Sequence, residues 1–173
     1  MKIFNFYLDN IVNYDLIHKF NFKTVKNLPK LKKIILTFNL KNYNFKDLLV
    51  IFSALKIMGG MKSSKISKSK TSNINLKVRK GTPIGCTVVL RNEFMKKFLF
   101  NIIYFKFIEK KNIKFVKYNK NIFSFKVNNL LKVNKLRQNY EFFQNLPVLN
   151  VNIITTSTKK NVLLFLLKSY KLF

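Results

Sequence analysis

Residues 77–91 read Lys-Val-Arg-Lys-Gly-Thr-Pro-Ile-Gly-Cys-Thr-Val-Val-Leu-Arg, and this stretch decides the predicted fold. Just upstream, Ile74, Leu76 and Val78 alternate with polar residues, which is typical of a half-buried strand. The segment 81–83, Gly-Thr-Pro, interrupts the alternation, because glycine tolerates positive φ and proline lacks an amide donor. A second apolar run, residues 84–90, completes a predicted β-hairpin with a basic face.

A lysine- and serine-rich tract, residues 62–75, precedes this hairpin and offers little apolar surface for burial. We interpret the tract as a flexible basic loop, because such a composition does not support a packed core. A flexible cationic loop that leads into a cationic hairpin indicates binding to a phosphate backbone.

The composition indicates one domain, residues 1–173, that binds a polyanion. Hydrophobic residues make up 48% of the chain, which is enough for a core, and the formal net charge is +28. Such a charge repels itself unless a partner of opposite sign neutralises it. The abundance of lysine, asparagine, isoleucine, phenylalanine and tyrosine is also typical of proteins encoded by AT-rich organelle genomes.

Catalytic and metal-binding patterns are absent from the sequence. The six acidic residues form no close pair, and the glycines have the wrong spacing for a phosphate-binding loop. Cys86 and His18 are the single cysteine and the single histidine, so we expect neither a disulfide nor a metal site. No cofactor and no enzymatic activity are expected. No apolar run reaches the 18 to 20 residues, roughly, that span a bilayer, and no secretory or arginine-rich transit segment is visible.

Hydrophobic periodicity predicts an α+β fold, a largely antiparallel sheet with helices packed on one face. Thr37, Lys77 and Arg79 are expected on the open face of that sheet. Residues 109–121 are interpreted mostly as a loop, and residues 130–146 stay ambiguous. The predicted helices cover residues 4–20, 44–58, 92–105 and 161–169, and the predicted strands outside the hairpin cover residues 31–40, 123–127 and 149–156.

Residues 79–91 also resemble the signature of the large-subunit ribosomal protein five family, Arg-x-Gly-x-Pro-Ile-Gly-x-x-Val-Thr-Leu-Arg. The segments 20–34 and 149–156 resemble the opening and closing parts of the family's sequence. The resemblance implies the family's fold, an antiparallel sheet with helices on one side. It also implies a structural role in the central protuberance of the large ribosomal subunit, with 5S rRNA or its equivalent as a partner.

The resemblance and the basic residues together nominate binding residues. The nominated rRNA-binding set is Thr37, Asn39, Lys62, Lys77, Arg79, Lys80, Thr87 and Arg91. In the family the loop approaches the elbow of the peptidyl-site tRNA, which nominates Lys65, Lys68 and Lys70. The chain departs from the family's pattern at Thr37, Asn39, Met61 and Val89, so the hydrogen bonds at these positions are expected to differ.

The resemblance further implies contacts with large-subunit rRNA, with neighbouring ribosomal proteins and with a small-subunit head protein across the intersubunit bridge. Membrane contact is not expected. The resemblance and the organelle-type composition together indicate a mitochondrial ribosome in the matrix in preference to a plastid ribosome.

The residues themselves leave two alternatives open. The first is a non-specific organellar protein that binds single-stranded RNA or DNA, with Phe115 and Tyr118 interleaved with Lys114, Lys117 and Lys120. The second is a peripheral protein on an anionic membrane, in which the helix over residues 94–105 would lie in the interface.

Overall fold

The computed structural model describes residues 6–22, 24–40, 44–60, 64–75, 78–108, 113–119, 121–128, 130–131, 134–157 and 159–170. Lys62 and Lys77 of the nominated RNA-binding set lie outside the described residues, as does Met61.

The sheet has six strands, all paired antiparallel. The strands are β1 (Leu31–Asn39), β2 (Lys65–Lys68), β3 (Pro83–Leu90), β4 (Ile113–Asn119), β5 (Ile122–Val127) and β6 (Leu149–Thr155), in the spatial order β2-β3-β1-β6-β5-β4. The central strands β1 and β6 are distant in sequence, so the middle of the sheet depends on long-range pairing.

In the residues that the structure describes, six α-helices accompany the sheet. They are α1 (Asn13–Phe20), α2 (Phe45–Met58), α3 (Asn92–Ile108), α4 (Asn134–Arg137), α5 (Tyr140–Phe143) and α6 (Lys160–Ser169). A π-helical turn, Tyr7–Val12, precedes α1, and a 3₁₀ turn, Val25–Asn27, leads into β1. The ambiguous stretch at 130–146 therefore contains two short helices. None of the helices in the described ranges is long and apolar enough to cross a membrane.

One hydrophobic core lies between the helices and one face of the sheet. In β1, Ile34, Leu36 and Phe38 are fully buried, while Ile35 and Thr37 on the opposite face are only partly buried. The strands β3, β5 and β6 show the same alternation, and the helices cover the buried side with their own apolar stripes. The period of two along each strand thus produces one packed face and one open face. The predicted α+β class is confirmed.

Helix α2 shows why the predicted helix bounds were correct. Asn44 has extended backbone angles at the N-cap, and its side-chain amide donates to the Asp47 carboxylate at 3.1 Å. At the other end Gly60 has φ 65°, the left-handed conformation that commonly ends a helix. A Cβ at Gly60 would lie 2.5 Å from the ring of Phe94, so the helix end also needs glycine for space.

The prediction of a loop over residues 109–121 is wrong for residues 113–119. These residues form β4, which pairs with β5 as the outer hairpin of the sheet. Lys114 and Lys117 are three positions apart, so they interrupt the strict alternation that would have indicated a strand. Charged residues are common on edge strands, because they discourage pairing with another chain.

The predicted hairpin is right in its second strand and wrong in its first strand and its turn. The strand that forms the hairpin with β3 is β2, Lys65–Lys68, which lies inside the tract predicted to be a flexible loop. Ile74 is 92% exposed in a turn, and Asn73 and Val78 bridge across it. The two limbs are therefore joined beyond the Asn73–Val78 bridge, with Ser69 and Thr82 paired further down.

We call the described residues 64–75 and 78–82 the basic arm. Its second limb contains a tight turn in which the Thr82 amide and hydroxyl both donate to the Arg79 carbonyl, at 3.2 and 2.8 Å. Gly81 has φ 90° in this turn, so glycine is needed there for its backbone conformation. The arm begins at the edge of the sheet, where β2 is bonded to β3 on one side only.

Candidate nucleic-acid interface

A continuous row of polar side chains crosses the open face of the sheet. Thr37 in β1 pairs with Thr87 on one side and with Asn150 on the other. Thr87 pairs in turn with Lys65, and Asn150 pairs with Lys126. Directly opposed residues of antiparallel strands share a face and lie about 5 Å apart. We call these five residues the polar row.

The polar row has a lysine at each end and neutral hydrogen-bonding groups between them. Four inter-strand gaps of about 4.8 Å separate β2 from β5, so the row spans about 19 Å. The Thr87 hydroxyl donates to the Lys65 carbonyl at 3.4 Å, which ties the edge strand to its neighbour. In the register of the sheet, Lys114 of β4 follows Lys126 as the next position.

The next row of side chains on the open face is apolar in β3 and β1 and polar in β6 and β5. It contains Val89, Ile35, Asn152 and Ser124 as cross-strand neighbours. Val89 is the position where the family's pattern has threonine. The open face therefore offers both apolar side chains and side-chain amide and hydroxyl groups, which suits a ligand with both flat base surfaces and polar sugar groups.

The described strands that form the open face carry no negative charge. None of the strands that the structure describes contains an aspartate or glutamate, and the chain has 34 lysines and arginines against six acids. The hydroxyls and amides can donate or accept, while the lysines attract phosphate. A surface of this kind can contact an RNA backbone and its 2′-hydroxyls without reading a base sequence.

On the arm side of the polar row, Asn39, Gly85 and Ser67 are cross-strand neighbours. The backbones approach so closely here that a Cβ on Gly85 would lie 2.1 Å from the Phe38 carbonyl oxygen. The hydroxyl of Ser67 is buried and has no hydrogen-bond partner among the described residues. Buried polar atoms are nearly always paired, so an unpaired hydroxyl is an uncommon feature of this edge of the sheet.

The nominated residues separate into three places. Thr37 lies on the open face, as predicted, Thr87 is its direct neighbour there, and Asn39 lies at the rim of the face. The basic arm carries Lys65, Lys68, Lys70, Arg79 and Lys80, all of which are exposed. Arg91 is also exposed, but it follows the opposite end of β3 from the arm.

The sequence predicted that these basic residues share one face of a hairpin that turns at residues 81–83. That prediction is wrong, because the chain reverses at the tip of the arm and not at Gly81. Lys65 belongs both to the arm and to the polar row. The role of the nominated residues in RNA binding stays a prediction.

Sequence reasoning missed Lys126 and Asn150 as members of this face. Both lie in strands that the alternation predicted, and both occupy the polar phase of that alternation. Their place in the alternation indicated that both side chains are exposed. The sequence did not indicate that they lie beside Thr37, because that depends on the insertion of β6 between β1 and β5.

The other singled-out residues have structural roles. Cys86 is fully buried in β3, and burial raises the pKa of its thiol. His18 is exposed in the last turn of α1, where a positive charge would interact favourably with the helix dipole. No group of three or more potential metal ligands occurs in the part of the chain that the structure describes.

The fold and the open face together define a basic α+β protein whose uncovered sheet surface is suited to a nucleic-acid backbone. Comparison with known proteins identifies the family. The chain is similar to the large ribosomal subunit protein uL5m of Reclinomonas americana, with 30% identity over 170 residues, covering 95% of this chain and 93% of that protein.

Two further relatives match along nearly the whole chain. The large ribosomal subunit protein uL5 of Karelsulcia muelleri is 32% identical over 167 residues, covering 93% of this chain and 88% of that protein. The protein uL5c of Euglena gracilis is 30% identical over 173 residues, covering 96% and 94%. No protein-family model matches the chain.

The chain belongs to the uL5 family of large ribosomal subunit proteins. It is a structural constituent of the large ribosomal subunit and not an enzyme. This membership decides against the two alternatives that the residues had left open, the non-specific single-strand binder and the peripheral membrane protein.

Proposed function

We propose that the open face of the sheet holds 5S rRNA or an equivalent rRNA segment in the central protuberance of the large subunit. The polar row is the observation that carries this proposal. It combines two lysines with two threonines and an asparagine on a surface that has no acidic residue in its described strands.

The chemistry of the polar row matches A-form RNA better than a protein partner. A-form helices are recognised through phosphates, 2′-hydroxyls and the shape of the shallow groove. Thr37, Thr87 and Asn150 supply short donors and acceptors at the centre, and Lys65 and Lys126 supply positive charge about 19 Å apart. The spacing lets the lysines contact separate backbone positions while the centre meets the groove.

The basic arm has a different role in this proposal. Five described cations lie on a hairpin extension that has few neighbours at its tip, so it can extend beyond the rRNA surface. We propose that Lys68, Lys70, Arg79 and Lys80 approach the peptidyl-site tRNA. A small-subunit head protein is the proposed partner on the far side of the intersubunit bridge.

The proposed location is the mitochondrial ribosome. The support is the uL5m relative together with the organelle-type composition of the chain. A uL5c relative and bacterial relatives match as well, so subcellular fractionation is the direct test. The protein should sediment with the mitochondrial large subunit, and co-fractionation with plastid ribosomes would overturn the assignment.

The test of the RNA face compares two double variants of the full chain. The first is Lys65→Ala with Lys126→Ala on the open face, and the matched control is Lys46→Ala with Lys97→Ala on α2 and α3. The probe is a transcript of the host's 5S rRNA or, where it has none, of its central-protuberance rRNA. Affinity is measured by filter binding at several salt concentrations.

We expect the open-face pair to lower the slope of log affinity against log salt by about 1.5, because each phosphate contact contributes roughly 0.7 to 0.9. The control pair removes the same formal charge from the helical layer and should leave most of the slope intact. Equal losses in both pairs would mean that only overall charge matters, and the assignment of the open face would then fail.

A further inference from the structure

A groove with unusual charge lies at the end of the sheet where β1 and β5 end, on the side of the helices α2 and α5. Its walls come from the first half of α2, the ends of β1 and β5, and residues 141–148 after the start of α5. The groove has a volume of about 1100 Å³ and opens to solvent on one side. It is large enough for several residues of an extended chain.

The charge of the groove is opposite to that of the rest of the molecule. Its lining contains Asp47 and Glu141, two of only six acids in the chain. Among the lining residues that the structure describes, Lys126 is the one cation, although the chain has 34. Residues 138–158 contain no lysine or arginine at all. A phosphate backbone would be repelled from the carboxylates, so nucleic acid is a poor occupant of this site.

Exposed apolar side chains adjoin the two carboxylates. Phe142 is 72% exposed and Val148 is 41% exposed, and both line the groove. The neighbouring Tyr140 is 55% exposed. Large aromatic residues contribute strongly to protein interfaces when they are covered, and a contiguous exposed apolar patch marks a site of contact.

Amide side chains complete the lining. Asn44, Asn128, Gln144 and Asn145 all face the groove. Each amide can both donate and accept, so together they can bond the peptide groups of a chain in extended conformation. The carboxylate of Asp47 accepts from Asn44 and is held in place at the first turn of α2.

We propose that this groove binds a lysine- or arginine-bearing extended segment of another large-subunit protein. The carboxylates pair with its cations, Phe142 and Val148 cover its apolar residues, and the amides bond its backbone. This inference rests on the family membership of the chain. The groove adjoins the proposed RNA face, because Lys126 and Asn150 belong to both, whereas the carboxylates of Asp47 and Glu141 belong to the groove alone. Variants of the two carboxylates therefore test the groove without altering the polar row.

The first test uses native large subunits and needs no variant. Exposed carboxylates are coupled to glycine ethyl ester with a water-soluble carbodiimide, and peptides are quantified by mass spectrometry. Glu93, exposed at the start of α3, is the matched control. We expect Asp47 and Glu141 to be labelled at least about fivefold less in the intact subunit than in the salt-stripped protein. Equal labelling in both states would overturn the proposal.

Carbodiimide without added amine identifies the occupant, since it joins carboxylates to lysines in direct contact. A link from Asp47 or Glu141 to a lysine of another protein supports the proposal. Links to the basic arm of a second copy of this chain would contradict it. Ultraviolet irradiation of the same subunits is a complementary experiment. A nucleotide adduct on residues 140–148 would also contradict the proposal.

The second test reverses the groove charge in assembled subunits. We compare a double variant, which carries both Asp47→Asn and Glu141→Lys, with the single variant Glu93→Lys. Asparagine keeps a hydrogen-bonding oxygen at the start of α2, so the helix should persist. We expect one neighbouring protein to fall at least about fivefold in salt-washed subunits of the double variant, with this chain still incorporated. A protein composition identical to that of the control would overturn the proposal.

Discussion

Replacement of Gly85 by alanine tests the closest backbone approach in the sheet. Gly85 pairs with Asn39 between β3 and β1, and the added Cβ would lie 2.1 Å from the Phe38 carbonyl oxygen and 3.2 Å from its carbonyl carbon. A comfortable carbon-to-oxygen contact is at least about 3.3 Å. The two strands must therefore separate locally by about 1.2 Å, because both contacting atoms are backbone atoms and no side chain can rotate away.

The separation also breaks neighbouring hydrogen bonds. The Leu40 amide donates to the Ile84 carbonyl at 2.8 Å, and an added 1.2 Å, roughly, takes this pair beyond bonding distance. Overpacking costs about 1–3 kcal/mol and each lost hydrogen bond about 1 kcal/mol, so we expect a total of about 2–4 kcal/mol. That is a large share of the stability of an ordinary domain, about 5–15 kcal/mol.

The assay is thermal unfolding of the full chain in high salt, followed by far-ultraviolet circular dichroism. For a protein of this size, about 2–4 kcal/mol corresponds to a fall in Tm of about 5–15 °C. Gly81→Ala is the matched control, because Gly81 has φ 90° but nothing within 4 Å of the added Cβ. Its cost is backbone strain alone, about 1 kcal/mol. If Gly85→Ala shifts Tm no more than Gly81→Ala does, the close approach of β1 and β3 is refuted.

The remaining predictions concern the arm, Arg91 and the buried thiol. Replacing Lys68 and Lys70 together by serine should leave subunit incorporation nearly intact in sucrose-gradient sedimentation and slow translation, since both lie on the arm outside the polar row. Arg91→Ala should reduce incorporation, because paired guanidinium contacts with phosphate are hard to replace; equal incorporation of the two variants would contradict this division of roles. Cys86 should react with iodoacetamide only after unfolding, since it is fully buried and burial raises the pKa of its thiol. The sign of that shift means that the fold loses stability as the pH rises past the ordinary pKa of cysteine, and rapid labelling of the folded chain at pH 8 would be inconsistent with it.

The local pattern was sufficient for the core-forming elements. Strands β1, β5 and β6 and helices α2, α3 and α6 were predicted close to their observed bounds, because burial on one face imposes a period of two or of 3.6 on apolar residues. The signature at residues 79–91 and the charge of +28 were also readable directly, since neither depends on where the chain folds back on itself.

Partner choice between strands was decided only by the tertiary structure. A strand sequence specifies which of its faces is buried, but it does not name the strand that bonds to its edge. For that reason β2 was mistaken for a loop, Ile74 and Arg79 were wrongly placed in a strand, and the edge strand β4 was missed.

The same physics explains the two surfaces. Thr37, Asn150 and Lys126 become neighbours only because β6 inserts between β1 and β5, and Asp47 and Glu141 share a groove only because α2 and α5 meet at one end of the sheet. Composition and alternation determined which residues are polar and exposed, whereas long-range backbone pairing determined which of them act together.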